Sequence, residues 1–392
     1  MFFLFFSNPS KIIVFIIFIV THFQINSYLY FSFPTAIELK NQDILVIHKF
    51  GVTVCDSTFK RIKKNVYEFN SEEQITTEEK LSRILIKKFE DGYIFSIIID
   101  KLYVFDDEGN FEEKSETLNR NGFEENLIFS LTTNKIEDGY YYLVGYIYQQ
   151  SLYLDYYRYK FQETIKFQRI AYLENYYETK SSKNYKILNI GLSCEFLKYN
   201  SYYLIACGYY TYGSTHELSI PHFIINGNLI KIYISPEHKT NVLLSREIKC
   251  IKSSVTPDHY STVFCFYLSN NELYCFTHSL TYSLDSDIYY YAVDCLQKYY
   301  GLKVDYYEDK EEFGISCLAD IGGIQVGTFN KGLTYVAPDE IYKYQECDIY
   351  GYSLIYYDLK EDYYVISDVK CNNIKYPFLL LHSMHKSYCR LI

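Results

Sequence analysis

Hairpin signals in series are the feature of this chain that most narrows the folds open to it. In SRILIKKFEDGYIFSIIIDKLYVFDDEGNFEE (82–113), three apolar strands are punctuated by Glu90-Asp91-Gly92, Asp100-Lys101 and Asp107-Glu108-Gly109. DILVIHKFGVTVCDSTFKRI (43–62) repeats the theme with a turn at Phe50-Gly51 and the alternating Val52 and Val54. DGYYYLVGYIYQQSLYLDYYRYKF (138–161) gives two more strands about Gln149-Gln150. Short apolar runs that reverse at turn clusters read as antiparallel strands. Helix signals are few; Thr76-Thr77-Glu78-Glu79 before Lys80-Leu81 caps at most one short turn. The expected fold class is all-β.

Composition points the same way. The 392 residues include 47 Tyr and 28 Phe but no Trp, a bias that an AT-rich coding sequence explains without appeal to function. Whatever its source, Tyr and Phe suit the pleated, half-buried surface of a strand.

The strands gather into units near 34–69, 70–120, 121–178, 179–237, 238–290, 291–340 and 341–392. Units of roughly fifty to sixty residues with about four strands apiece are what a β-propeller requires. The texture of ILVIHKFGVTVCD and LYVFDDEGNF resembles propeller blades, a likeness of rhythm along the whole chain. The absence of Trp rules out the WD dipeptide of the WD40 family. This resemblance implies a single β-propeller of about seven four-stranded blades over 28–392. The alternative is two β-sandwich domains divided at Thr179-Lys180-Ser181-Ser182-Lys183-Asn184, near residue 180, where a thiol-poor half gives way to a cysteine-rich one.

Of 11 cysteines, only Cys55 precedes residue 190. In GLSCEFLKYNSYYLIACGYY (191–210), period-2 alternation on both sides of Asn200-Ser201 predicts a hairpin. Folded there, Cys194 faces Cys207, Phe196 faces Ile205 and Leu192 faces Tyr209, an apolar ladder with the thiols in register. A related arrangement recurs at 248–268, where Cys250 and Cys265 flank Pro257-Asp258, while Cys275 competes as a partner for Cys265. Cys317 completes the set of disulfide candidates, and spacing alone leaves the connectivity open. The odd count leaves at least one thiol unpaired within the chain, and isolated Cys55 is the natural choice.

Zinc is the competing use of cysteine, but no pair has the close C-x2-C spacing of structural sites. His382 and His385 with Cys389 form the one His/Cys cluster, which reads as a polar C-terminal segment. Asp106-Asp107-Glu108-Gly109-Asn110 lacks the alternating acids and distant Glu of a calcium loop. GGIQVG (322–327) lacks the Gly-Lys-Ser/Thr ending of a phosphate loop and reads as a bulged strand or a turn. No metal, cofactor or catalytic residue is assigned.

Residues 12–20, IIVFIIFIV, suit the core of a secretory signal and fall short of the ~20 residues that span a bilayer. Cleavage after Ser27 yields a secreted chain; an uncleaved anchor over 1–20 is the alternative and the one route to membrane attachment. Disulfides fit that oxidising compartment. The net charge is −10, and the short basic run Lys60-Arg61-Ile62-Lys63-Lys64 is too small a footprint for nucleic acid.

Fold alone selects no function. The leading expectation is a secreted or surface-displayed binding or adhesion protein, with Tyr-rich loops at one end of a rigid scaffold engaging a protein or glycan ligand. The alternatives are a propeller-type glycoside hydrolase with paired carboxylates, and an N-terminally tethered structural surface protein. A flat, Tyr-rich loop face favours binding; a central pocket with converging acids favours catalysis.

Overall fold

In the computed structural model, the described residues lie between Thr35 and Leu391, outside the intervals 71–83, 119–127, 235–247, 254–261, 280–287 and 293–301 and several short turns. After Cys275, side chains are described only for 302–306 and 312–316. The expected leader at 1–27 and the helical cap at Thr76 to Glu79 lie outside the described residues.

All regular structure among the described residues is β-strand. Apart from a two-stranded ribbon at 179–184 and the short extra strand His216–Ser219, the strands form consecutive antiparallel groups of four. These groups span 35–68, 85–114, 128–176, 186–234, 248–292, 303–342 and 347–391. Their first strands are Thr35–Glu38, Leu85–Lys88, Ile128–Ile136, Lys186–Tyr199, Ile248–Ser253, Lys303–Tyr307 and Cys347–Tyr357. Each first strand lies against the first strand of the next group, and Cys347–Tyr357 returns to lie against Thr35–Glu38. A closed ring of four-stranded sheets around their first strands is a β-propeller. Each group is a blade, numbered here in chain order.

That ring replaces the two-sandwich reading. The strands Ile128–Ile136 and Lys186–Tyr199, on opposite sides of residue 180, are packed together. Leu143, Leu154 and Tyr156 share one buried cluster with Cys194, Phe196 and Phe223. The change in cysteine usage near residue 180 therefore marks no boundary in the core.

Burial explains the two hydrophobic patterns of the sequence. The second and third strands of a blade are sandwiched between neighbouring blades, so Ile44–His48, Gly51–Cys55 and Ile94–Ile98 are buried at every position. Strands covered on both faces read as continuous apolar runs. The outer strand Ile62–Glu68 has exposed Lys63 and Asn65 alternating with partly covered neighbours. Separate apolar clusters fill the space between successive blades, from the first and second to the fifth and sixth.

Turns set the register. Gln149 and Gln150 both take positive φ, 46° and 63°, the backbone of a tight two-residue hairpin. Gly109, at φ +75°, closes another turn where a Cβ would lie 2.9 Å from Leu39 Cδ1. Asp106 organises that same turn, its Oδ1 accepting from the backbone N–H groups of Glu108 at 3.0 Å and Asn110 at 2.7 Å. Ile324 to Gly327 of GGIQVG lie in the strand Ile324–Asn330, which carries register shifts around Thr328.

Blades three and four are joined a second time. Their outer strands, Phe167–Tyr176 and Leu229–Ile234, pair in parallel at Tyr172 and Leu229, and Tyr172 N–H donates to Asn228 O at 3.2 Å. The two blades thus form one nine-stranded sheet.

Candidate binding site

Of the polar contacts between blades, two constellations are built around a carboxylate with several partners, Glu195 and Asp91, and they differ in what they leave open to solvent. The first lies along the first strands, which line the centre of the ring. Lys87, in blade two, donates to Glu195 Oε1 of blade four at 2.8 Å, and Thr132 of blade three donates to Glu195 Oε2 at 2.9 Å. Glu195 is buried, whereas Lys87 is part-exposed. Burial works against the Lys87 ammonium, but the charge and hydrogen bond of Glu195, reinforced by Asp305, outweigh it and hold its pKa above 10.5. Both Glu195 oxygens are engaged, one by a cation. Such a carboxylate ties three blades together and is badly placed to shuttle protons.

The second constellation sits where blades two and three meet, beside the turn at Asp91-Gly92 and the strand ends Ile136 and Gly139. Period-2 alternation and the chain reversals bring Tyr93, Tyr140 and Phe161 together there. Tyr93 and Phe161 have ring centroids 4.6 Å apart, Tyr93 and Tyr140 5.2 Å, and Tyr140 and Phe161 5.4 Å. Phe89, buried beneath them, meets Tyr140 edge-on at 4.9 Å. The three upper rings are only partly covered. Asp91, in the turn, accepts from Lys135 Nζ at 2.6 Å and from the Tyr140 hydroxyl, while the Lys135 ammonium lies 5.4 Å from the Tyr140 ring centre.

Electrostatics gives this surface a sign. Burial raises the Tyr93 hydroxyl pKa, and Glu112, Asp106, Asp107 and Asp91 raise it further. Burial, then the Asp91 hydrogen bond and charge, do the same to Tyr140. Although burial opposes the Asp91 carboxylate, hydrogen bonds from Lys135 and Tyr140 prevail and lower its pKa. Partly exposed rings thus stand beside an Asp91–Lys135 ion pair with further acidic residues around Tyr93, a setting suited to a ligand with apolar faces and donor groups.

The disulfide candidates are distributed as follows. Cys194 is bonded to Cys207 and Cys250 to Cys265, each pair directly opposed in its hairpin with Cα atoms 4.1 and 4.0 Å apart. The first hairpin has the register expected from a turn at Asn200-Ser201, including Phe196 opposite Ile205 and Leu192 opposite Tyr209. Cys275 is a free, buried thiol and does not pair with Cys265. Its strand places Cys275 opposite Phe266 and Phe276 opposite Cys265, and that one-residue step puts the two thiols on opposite faces of the sheet. Cys317 stands opposite Gln325. Cys55 is free and buried, its thiol pushed up to about 12, by burial above all.

The other motifs resolve into structure. Lys63 pairs with Asp43 at 2.6 Å, and Lys64 donates to Glu108 O and Asn110 Oδ1, so these two lysines of the basic run are engaged within blades one and two. Among the described residues no cluster of His, Cys, Asp and Glu could hold a metal ion. Cys389 stands opposite Leu380 and His382 opposite Ser387 in the last blade, while His385 lies outside the described residues. Sequence reading did not single out Lys87, Glu195, Asp91, Tyr93, Tyr140 or Phe161. The aromatic members carry no signal of their own in a chain with 47 Tyr.

No protein-family model matches this chain, and no curated protein matches it. Solved structures similar to it include a mutant of the Aleuria aurantia lectin in complex with alpha-methyl-L-fucoside, 12% identical with a TM-score of 0.46, covering 80% of this chain and 96% of that one. The Dos1 propeller is 9% identical with a TM-score of 0.48, covering 92% and 84%. A Trypanosoma rangeli sialidase is 9% identical with a TM-score of 0.41, covering 90% of this chain and 54% of that one.

Proposed function

We propose that this protein is a secreted or surface-displayed binding protein whose ligand is a neutral glycan, held on the surface between blades two and three. The mature chain begins near residue 28, after removal of the apolar leader. The observation that carries the reading is the set of part-exposed rings, Tyr93, Tyr140 and Phe161, beside the Asp91–Lys135 pair. Aromatic faces cover the C–H faces of a sugar, and the Tyr93 hydroxyl meets its hydroxyl groups, while the Asp91–Lys135 pair holds the Tyr140 ring in place. The acidic rim around Tyr93 disfavours sialylated or sulfated ligands. Secretion is supported by the leader-like N-terminus and by two disulfides, which persist in oxidising compartments.

The test is a glycan array probed with the wild-type protein and with Tyr93→Ala and Asp91→Asn variants, followed by calorimetry on the best ligand. Neutral glycans should be retained by the wild type and lose about five- to thirtyfold in affinity with Tyr93→Ala, since burying one aromatic contact is worth roughly 1–2 kcal/mol. Unchanged affinity in both folded variants places the ligand elsewhere and rejects this site. Glu195, with both carboxylate oxygens already engaged, is not a candidate acid or base for the alternative glycosidase reading.

A further inference from the structure

We infer that Cys347 and Cys371 form a third disulfide, in the last blade. The two residues are directly opposed partners between the strands Cys347–Tyr357 and Asp362–Cys371. The two existing disulfides hold the same relationship, each linking opposed cysteines in the first and second strands of a blade.

Opposition alone is insufficient. Opposed residues in an antiparallel pair alternate between hydrogen-bonded positions, with Cα atoms near ~5.5 Å, and non-hydrogen-bonded ones, near ~4.5 Å. Only the latter turns two cysteines toward a direct cross-strand bond in these hairpins, where the Cα atoms are 4.1 and 4.0 Å apart. Which position a residue occupies can be read from its other neighbour. A residue in a central strand directs both backbone polar groups to one side, so bonding to one neighbour leaves it non-hydrogen-bonded to the other.

Cys207 obeys this rule: its N–H donates to Pro221 O at 3.1 Å, away from Cys194. Cys265 obeys it too. Its strand closes on the next at Ser269 and Glu272 across two residues, a hydrogen-bonded closing pair, and Cys265 lies four residues earlier in the same phase. Cys371 is itself a closing residue, paired with Ile374 across Asn372-Asn373. Its backbone groups therefore serve the strand Ile374–His382, and toward Cys347 it occupies the non-hydrogen-bonded position. Register and phase together give the last blade the arrangement that carries a bond in blades four and five.

The bond forms by exchange with the disulfide of an oxidising thiol oxidoreductase. The two thiols lose two protons and two electrons, one S–S bond is made here, and the oxidant's S–S bond is broken to a dithiol.

The test is tryptic mapping of the full chain purified from its oxidising compartment, alkylated under denaturing, non-reducing conditions. Residues 344–360 carry Cys347 and residues 371–375 carry Cys371 as separate tryptic peptides. They should run as one linked species that splits on reduction, alongside the Cys194–Cys207 and Cys250–Cys265 links, and Cys347→Ser should add one alkylated thiol, at Cys371. Recovery of both peptides as free, alkylated thiols while the other two links are intact overturns the inference, as does linkage of Cys371 to any other cysteine.

Discussion

Gly208 lies directly beneath Cys250, so close that a Cβ at Gly208 would come within 2.7 Å of Cys250 Sγ and within 2.7 Å of Ile248 Cδ1. Gly208 belongs to the second strand of blade four and Cys250 to the first strand of blade five, so this contact is where the two blades close on each other. Gly145 repeats the arrangement one blade earlier, with Cys194 Sγ 3.3 Å from its virtual Cβ. A disulfide is a bulky, inflexible object in a blade interface, and a missing side chain opposite makes room for it.

Gly208→Ala should therefore destabilise the protein by about 1–3 kcal/mol, the usual cost of overpacking a close-packed core. Gly145→Ala, with looser contacts, should cost less. Urea unfolding of the two variants checks the order; equal stability of Gly208→Ala and wild type removes the steric account of the blade interface.

Acid should weaken the fold through His48. Burial holds its imidazole neutral and depresses its pKa from 6.5 to about 3. Below pH 6.5 the unfolded chain takes up a proton that the folded chain refuses, so stability present above that pH is lost progressively toward pH 3. His48→Gln has no such proton, and the stability of wild type relative to this variant should fall by about 1.4 kcal/mol per pH unit below pH 6. A pH-independent difference in denaturant midpoint between pH 7 and 5 contradicts this.

Alkali should act through Lys87 and the buried tyrosines. Because the Lys87 pKa is raised by Glu195, the pair's contribution is complete below pH 10.5 and is lost as pH climbs through the folded-state value. Glu195→Gln should cost about 1–3 kcal/mol at pH 8, discounted for the partial exposure of Lys87, and the gap should narrow as pH climbs through the raised Lys87 pKa. Burial also keeps Tyr142 and Tyr209 protonated well above 10, which steepens the alkaline loss in wild type and variant alike.

The free thiols of Cys55 and Cys275 should be inert in the native state. Burial is the leading cause that raises both, Cys55 to about 12 and Cys275 well above its ordinary value. Iodoacetamide at pH 8 should label neither until denaturant is added. Rapid native labelling of Cys55 would show that blade one opens locally.

The strand texture was legible because it is a local matter. Gln149-Gln150, Asn200-Ser201 and Asp107-Glu108-Gly109 mark reversals by chemistry that acts within four residues, and the register of Cys194 with Cys207 follows by counting back from one turn. Cys265 shows the limit. Its two candidate partners, Cys250 and Cys275, both lie within hairpin reach, and the choice rests on a single-residue phase fixed by the Ser269–Glu272 turn. The Lys87–Glu195 bond joins positions 108 residues apart and leaves no trace in either neighbourhood. Tyr93, Tyr140 and Phe161 converge from different strands, and in a chain so rich in tyrosine none is distinguishable beforehand from one that merely packs.

A ring of wedges yields at whichever joint is weakest. Among the described residues, the joint between blades three and four alone carries a strand pairing at its outer rim, through Tyr172, Asn228 and Leu229, as well as packing at its face. These two blades consequently move as a single stiff arc. Any breathing of the ring is displaced toward the remaining joints; at the one beside Tyr93 and Tyr140, where blade two meets that arc, side-chain links such as Asp91–Lys135, rather than strand pairing, hold the two edges together.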